Sequence, residues 1–202
     1  MGEIVSLDQL DVEHGRYSYA DYLTWKFEQT VELIKGKIMA LSAPSRYHQE
    51  ISRELSGMFY NYFRTHTCRY YAAPFDVRLL DKRKSARANK DIYSVVQPDL
   101  CIVCDLEKLD EKGCLGAPDL VVEILSKGNS TKEMKIKKQL YEENEIREYW
   151  IIDPDHECAF QFQLTNAGVY SPVNIYVKED TLQCVIFPAL EISLEEVFRF
   201  DE

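Results

Sequence analysis

Two short runs constrain this chain more than anything else in it. Val95 to Cys104 and Leu120 to Leu125 are apolar and rich in β-branched side chains, and the pairs Pro98-Asp99 and Pro118-Asp119 introduce them. Runs this apolar, without polar alternation, read as strands covered on both faces, so other layers must lie on either side of their sheet. Glu148-Tyr149-Trp150-Ile151-Ile152, closed by Asp153-Pro154, reads as another central strand. Helices are available to cover the sheet. From Pro44 to about Arg64 the residues Ile51, Leu55, Met58, Phe59 and Tyr62 recur at helical spacing, and the stripe extended backward reaches His48. A second helix is expected over about Thr131 to Glu145. Ser18-Tyr19-Ala20-Asp21 has the form of a capping box opening a short helix that runs on through Phe27.

The remaining segments read as strands and turns. Val31 to Ile34 and Lys37 to Leu41 flank Lys35-Gly36 and form a hairpin. Tyr70 to Leu80 is expected as one strand, with Asp76, Arg78 and Leu80 on one face. Asp81 to Lys90 reads as an exposed basic loop. Past Asp153 come short antiparallel strands, a turn at Asn166-Ala167-Gly168 and an amphipathic stretch from Leu194 to Phe200. No repeat or linker divides the chain, and a single α/β domain over residues 1–202 is the economical expectation.

Composition narrows the function. With 46% apolar residues, the 202-residue chain can bury a core, and a net charge of −10 excludes binding polyanions through total charge. Contact with nucleic acid must therefore be local. The acidic N-terminal stretch and the lack of any run near the ~20 apolar residues of a membrane span predict a soluble, cytoplasmic protein with no membrane partner. Six cysteines at this length do not make a dense disulfide scaffold, which favours a reducing compartment. Cys101 and Cys104 stand three apart in a strand-like run and point to opposite faces, so a shared zinc is not expected.

Three side chains then stand out. Glu123 lies inside an apolar strand with no cationic neighbour in sequence, and a carboxylate buried there needs a cation, a metal or hydrogen bonds. Asp99 opens a neighbouring buried run, so the two carboxylates can meet at a hard-cation site of the Mg²⁺ type. Asp119 shares the Glu123 face but lies about 13 Å along the strand, which suits a cap at the strand entry better than a shared ion. Lys137 stands on a helix face with Met134, Leu140 and Tyr141, so its amine is directed inward. A purely structural Glu123–Lys137 pair meets the same observations and stays open. Tyr149 and Trp150 read as core.

The spacing Pro98-Asp99, 23 residues, then Glu123-Ile124-Leu125 resembles the PD-(D/E)XK nuclease superfamily. The blocks VELIKGKIMALSAPSRYHQEI, VVQPDL, APDLVVEILS and KKQLYEENEIREYWIIDP resemble, more narrowly, the Uma-type restriction endonuclease family, long a domain of unknown function. The likeness implies a restriction-endonuclease-like mixed β-sheet flanked by helices, with extra antiparallel strands at the N- and C-terminal ends. It implies an endonuclease acting on DNA with Mg²⁺ or Mn²⁺, with Asp99 and Glu123 as metal ligands and Lys137 positioning the attacking water or stabilising charge. Leu125 departs from the superfamily pattern, since the strand lysine would stand there; the family takes its lysine from the following helix, where Lys137 matches. Glu133 stands where many relatives carry aspartate. His48 and Asp76 match positions with supporting roles. Five basic residues against one acidic in each of Asp81–Lys90 and Lys127–Lys138 leave −18 on the other 180 residues, a local concentration that fits phosphate contact. Two other classes stay in view: a catalytically silent module of the same fold that binds nucleic acid or a protein partner, and a metal-free acid/base hydrolase. A homodimer would suit double-strand cleavage, although no interface can be read from the sequence.

Overall fold

The computed structural model describes residues 3–80, 89–126 and 131–200. Most of the basic segment at 81–90, and residues 127–130 of the second, lie outside the described residues.

The N-terminal part builds a sheet from hairpins. Ser18 caps α1 (Tyr19–Tyr22) through a complete capping box with Asp21, but the helix ends there. The expected extension to Phe27 is not helical; Trp25 and Phe27 instead pack against a small apolar cluster around Tyr19, Val31 and Leu33. Strands β1 (Val31–Ile34) and β2 (Lys37–Ala40) pair around Lys35 and Gly36, whose φ angles of 53° and 86° give the mirror-image turn that matches strand twist. Ser45 caps the long helix α2 (Arg46–Phe63).

Two runs expected as single strands are each divided between two sheets. Tyr70 to Leu80 becomes β3 (Arg69–Ala72) and β4 (Val77–Leu79). Val95 to Cys104 becomes β5 (Ser94–Val96) and β6 (Leu100–Val103). Pro74 and Pro98 fall at the two breaks, and neither can donate a ladder hydrogen bond. After these come β7 (Leu109–Asp110), β8 (Gly113–Leu115), β9 (Leu120–Ile124), α3 (Thr131–Glu143), β10 (Glu148–Asp153), β11 (Cys158–Gln163), β12 (Asn174–Val177), β13 (Thr181–Gln183), β14 (Glu191–Ser193) and α4 (Leu194–Val197).

The central sheet runs β12-β11-β10-β9-β6-β3, and only β9 and β10 are parallel. A second sheet runs β2-β1-β5-β4-β8-β7, and β13 pairs with β14. The mixed sheet flanked by helices is the architecture expected. Leu100, Ile102, Leu120, Val122 and Trp150 meet Ile51, Leu55 and Phe59 of α2 on one face of the central sheet. Cys101, Val103, Val121, Tyr149 and Ile151 meet Leu140 and Tyr141 of α3, together with Val77, Leu79 and Val96 of the second sheet, on the other. All five residues of β9 are buried, as its apolar run requires. Among the described residues no helix is long and apolar enough to cross a membrane.

The cysteines correct one expectation. Cys68 and Cys104 form a disulfide with Cα atoms 3.9 Å apart. They continue the β3–β6 register one step past Arg69↔Val103, which sets them opposite each other. Cys101 is free and buried in the other core layer, so Cys101 and Cys104 do face opposite ways.

Candidate active site

The β6–β9 register pairs Leu100 with Val122, and one step further sets Asp99 directly across from Glu123. Opposed residues on antiparallel strands share a face, so both carboxylates rise on the α3 side of the sheet. They line a cavity of about 410 Å³ with Lys137, His48 and Gln97, walled by residues of β2 and of the turn into α2.

Asp99 is held at both oxygens. Its Oδ2 accepts the Ile124 backbone N–H at 2.7 Å, and its Oδ1 lies 3.1 Å from His48 Nε2. His48 sits in the first turn of α2, where its own N–H donates to the Ser45 hydroxyl. Its Nδ1 is buried and has no partner.

Glu123 receives two donors on one oxygen. Lys137 Nζ donates to Oε1 at 2.9 Å, and the Tyr141 hydroxyl donates to the same Oε1. Lys137 and Tyr141 are four apart on α3 and present both groups on one helix face. Burial pushes the Glu123 carboxyl up to about 7, reinforced by the charges of Glu32 and Asp99 and opposed by the Lys137 charge and the Tyr141 hydrogen bond. Burial pulls the Lys137 amine down, but Glu123 and Glu32 more than reverse it, and the amine is held above its ordinary value as a cation. Burial, with the Glu123 charge, also pushes Tyr141 well up, which keeps it a donor.

Glu32 is the residue that sequence reasoning missed. It is fully buried on β1, and its Oε1 accepts Lys137 Nζ at 3.0 Å and the Gln97 backbone N–H at 2.8 Å, while its Oε2 has no partner. The signal was present: Val31-Glu32-Leu33-Ile34 encloses a carboxylate in an apolar run as Val121-Val122-Glu123-Ile124 does. Tyr141 was visible only as an apolar neighbour of Lys137.

Asp76 stands one contact away. Tyr19 OH donates to its Oδ2 at 3.0 Å and Gln97 Nε2 to its Oδ1 at 2.8 Å, so it reaches the cavity through Gln97. Asp119 is spent at the strand entry, where it accepts the Cys104 N–H at 2.8 Å and pairs with Arg147 at 3.2 Å. The structure therefore brings Asp99, Glu123, Lys137 and His48 to one cavity and leaves Asp76 behind its wall. Among the described residues no three His, Cys, Asp or Glu side chains form a ready metal cage. Two carboxylates with water and phosphate oxygens are the donor set usual for Mg²⁺; Glu32 and Glu123 share the Lys137 amine, and Asp99 adds a further carboxylate at the cavity.

A third buried carboxylate lies on the opposite face of the central sheet and serves structure. Glu148 accepts from Trp150 Nε1 at 2.7 Å, Gln161 Nε2 at 2.8 Å and the N–H groups of Val185 and Ile186, each at 2.9 Å. All of these donors are neutral, and they tie the segment after β13 to the central sheet.

Comparison with known proteins finds a family and a fold for the chain. The model of a family described as "Uma2: Putative restriction endonuclease" matches residues 19–195. Among solved structures, a "putative nuclease belonging to DUF820 from Anabaena variabilis ATCC 29413" superposes with a TM-score of 0.68 at 20% identity, covering 90% of this chain and 97% of the other. That degree of likeness establishes a common fold. No curated protein matches.

Proposed function

This chain belongs to the Uma2 family of restriction-endonuclease-like proteins, and from that membership and the site geometry we propose that it is a divalent-metal-dependent endonuclease that hydrolyses DNA phosphodiester bonds. The observation that carries the reading is the pair Asp99 and Glu123, directly opposed on adjacent strands at a cavity that also receives the Lys137 amine. Asp99 and Glu123 at the cavity, with the nearby amine shared between Glu123 and Glu32, suit a cation. Asp99 and Glu123 are the residues that would hold Mg²⁺ or Mn²⁺, which would supply Lewis acidity toward a phosphate.

The chain's own residues do the rest. His48 and the Ile124 N–H fix the Asp99 carboxylate, and the work of supporting contacts of this kind is to orient a ligand group. Tyr141 and Lys137 both occupy Oε1 of Glu123, a side chain that lines the cavity, and neither engages its Oε2. Lys137, kept cationic by its two carboxylates, stabilises negative charge developing on the phosphoryl oxygens and does not take the proton from water.

The test is nicking of supercoiled plasmid. Wild type is expected to nick with Mg²⁺ or Mn²⁺ and not in EDTA, and Glu123→Ala and Lys137→Ala each remove the activity. Nicking that survives chelation, or identical behaviour of wild type and both variants, sinks the reading. The silent binding module is favoured by one observation, the Lys137 amine already engaged by two carboxylates. It predicts that wild type retains plasmid in a gel shift without cleaving it under any metal.

A further inference from the structure

Glu32 is hard to explain as a contribution to stability. A buried ion pair is commonly matched by apolar residues of similar volume, and here one carboxylate oxygen gets no partner at all. Its contacts all run to the site. Oε1 holds Lys137, which reaches Glu123, and it holds the backbone of Gln97, which lines the cavity and leads through Pro98 to Asp99. Glu32 itself sits on β1, paired along its whole length with β2, whose Met39 and Ala40 form one wall of the cavity.

Charge explains what this arrangement does. An amine paired with one carboxylate makes a locally neutral couple, and a Glu123 so engaged offers little to a cation. A second carboxylate on the same amine divides that charge, because Lys137 lies 3.0 Å from Glu32 and 2.9 Å from Glu123. We propose that Glu32 is a positioning residue that shares Lys137 with Glu123, so that the amine does not neutralise the site and a net negative charge remains to hold a divalent cation beside Asp99. The inference rests on the metal-dependent reading above and adds a third acidic residue, acting through the lysine rather than on substrate.

The experiment is a Mn²⁺ titration of purified wild type, Glu32→Gln, Glu32→Met and Glu32→Asp, followed by the electron paramagnetic resonance of free Mn²⁺, with melting of the metal-free proteins run alongside. Glu32→Gln keeps the shape and can accept the same hydrogen bonds; Glu32→Met removes the buried charge. Glu32→Gln is expected to melt close to wild type and Glu32→Met lower, since it leaves the Gln97 N–H without its acceptor; both are expected to bind Mn²⁺ about tenfold or more weakly, since a charge a few ångströms away acts strongly at an effective dielectric constant near 20. Glu32→Asp restores affinity to within about threefold by keeping that charge. In plasmid nicking the half-saturating Mn²⁺ concentration rises by the same factor.

Each failure has a separate meaning. If wild type binds no Mn²⁺, the metal-dependent reading falls and this inference with it. If wild type binds and a folded Glu32→Gln or Glu32→Met binds equally well, the role of Glu32 is overturned while the nuclease reading stands. Unfolding of all three variants overturns it as well and assigns Glu32 to stability, and so does a loss of saturating turnover at unchanged affinity.

Discussion

Replacing Lys137 by methionine removes the only cation that touches Glu32 and Glu123 among the described residues while keeping a chain of similar volume. Glu32 is fully buried and the Glu123 side chain is 11% exposed, so neither carboxylate recovers much hydration. Removing one partner of a buried pair costs about 3–5 kcal/mol, because an uncompensated charge stays behind. For a domain of this size each kcal/mol moves the melting temperature by about 2–4 °C, so a fall of about 6–20 °C is expected at pH 8. The loss depends on pH, and its sign follows from protonation. Without the amine, the Glu123 carboxyl has its folded pKa raised further above its ordinary value. The deficit relative to wild type is then complete above the raised value and fades as pH falls toward the wild-type value of about 7, because the unfolded value is common to both proteins. Scanning calorimetry of both proteins from pH 4.5 to 8 measures this directly. The same variant should bind Mn²⁺ at least as tightly as wild type, since the competing amine is gone, yet fail to nick plasmid. A variant as stable as wild type at pH 8 would refute the reasoning, for it would mean that the amine does not sit between two buried carboxylates.

Three further outcomes follow from contacts described above. Metal-free wild type should lose stability relative to Glu123→Gln as pH rises from about 4.5 to about 7, because burial raises that carboxyl from 4.5 to about 7 and the folded state holds its proton more tightly across that window; a difference in melting temperature that is flat with pH contradicts this. Glu148→Ala strands Trp150 Nε1 and the N–H groups of Val185 and Ile186 in the core, and at roughly 1–3 kcal/mol per orphaned group it should cost about 4 kcal/mol or prevent folding; a loss below about 1 kcal/mol in urea unfolding would be inconsistent with that network. Thiol titration in denaturant without reductant should count four of the six cysteines, and reduction should lower stability by up to about 4 kcal/mol for the 36-residue separation of Cys68 and Cys104; six reactive thiols would remove the bridge.

Much of the frame was legible because it rests on local rules. The continuous apolar runs at Leu120–Ile124 and Glu148–Asp153 became central strands covered on both faces. The Ser18 capping box and the Lys35-Gly36 turn formed where their residue types demand. What misled was continuity. Tyr70–Leu80 and Val95–Cys104 each look like one strand, yet in each the proline-containing break sends the second half into another sheet, a choice that no two-residue period encodes. The same limit hid the Cys68–Cys104 bridge, which depends on the register between β3 and β6.

The candidate site divides in the same way. Sequence alone determined that Glu123 needs a partner, that Lys137 faces inward and that Asp99 begins a buried run, because each statement concerns one element and its own periodicity. Only the tertiary structure decided that Asp99 and Glu123 stand directly opposite, that His48 closes on Asp99, that Asp76 reaches the cavity only through Gln97, and that Glu32 shares the lysine. Each of these joins segments far apart in the chain, and the strength of a charge interaction depends on distances in space that sheet register and helix packing set.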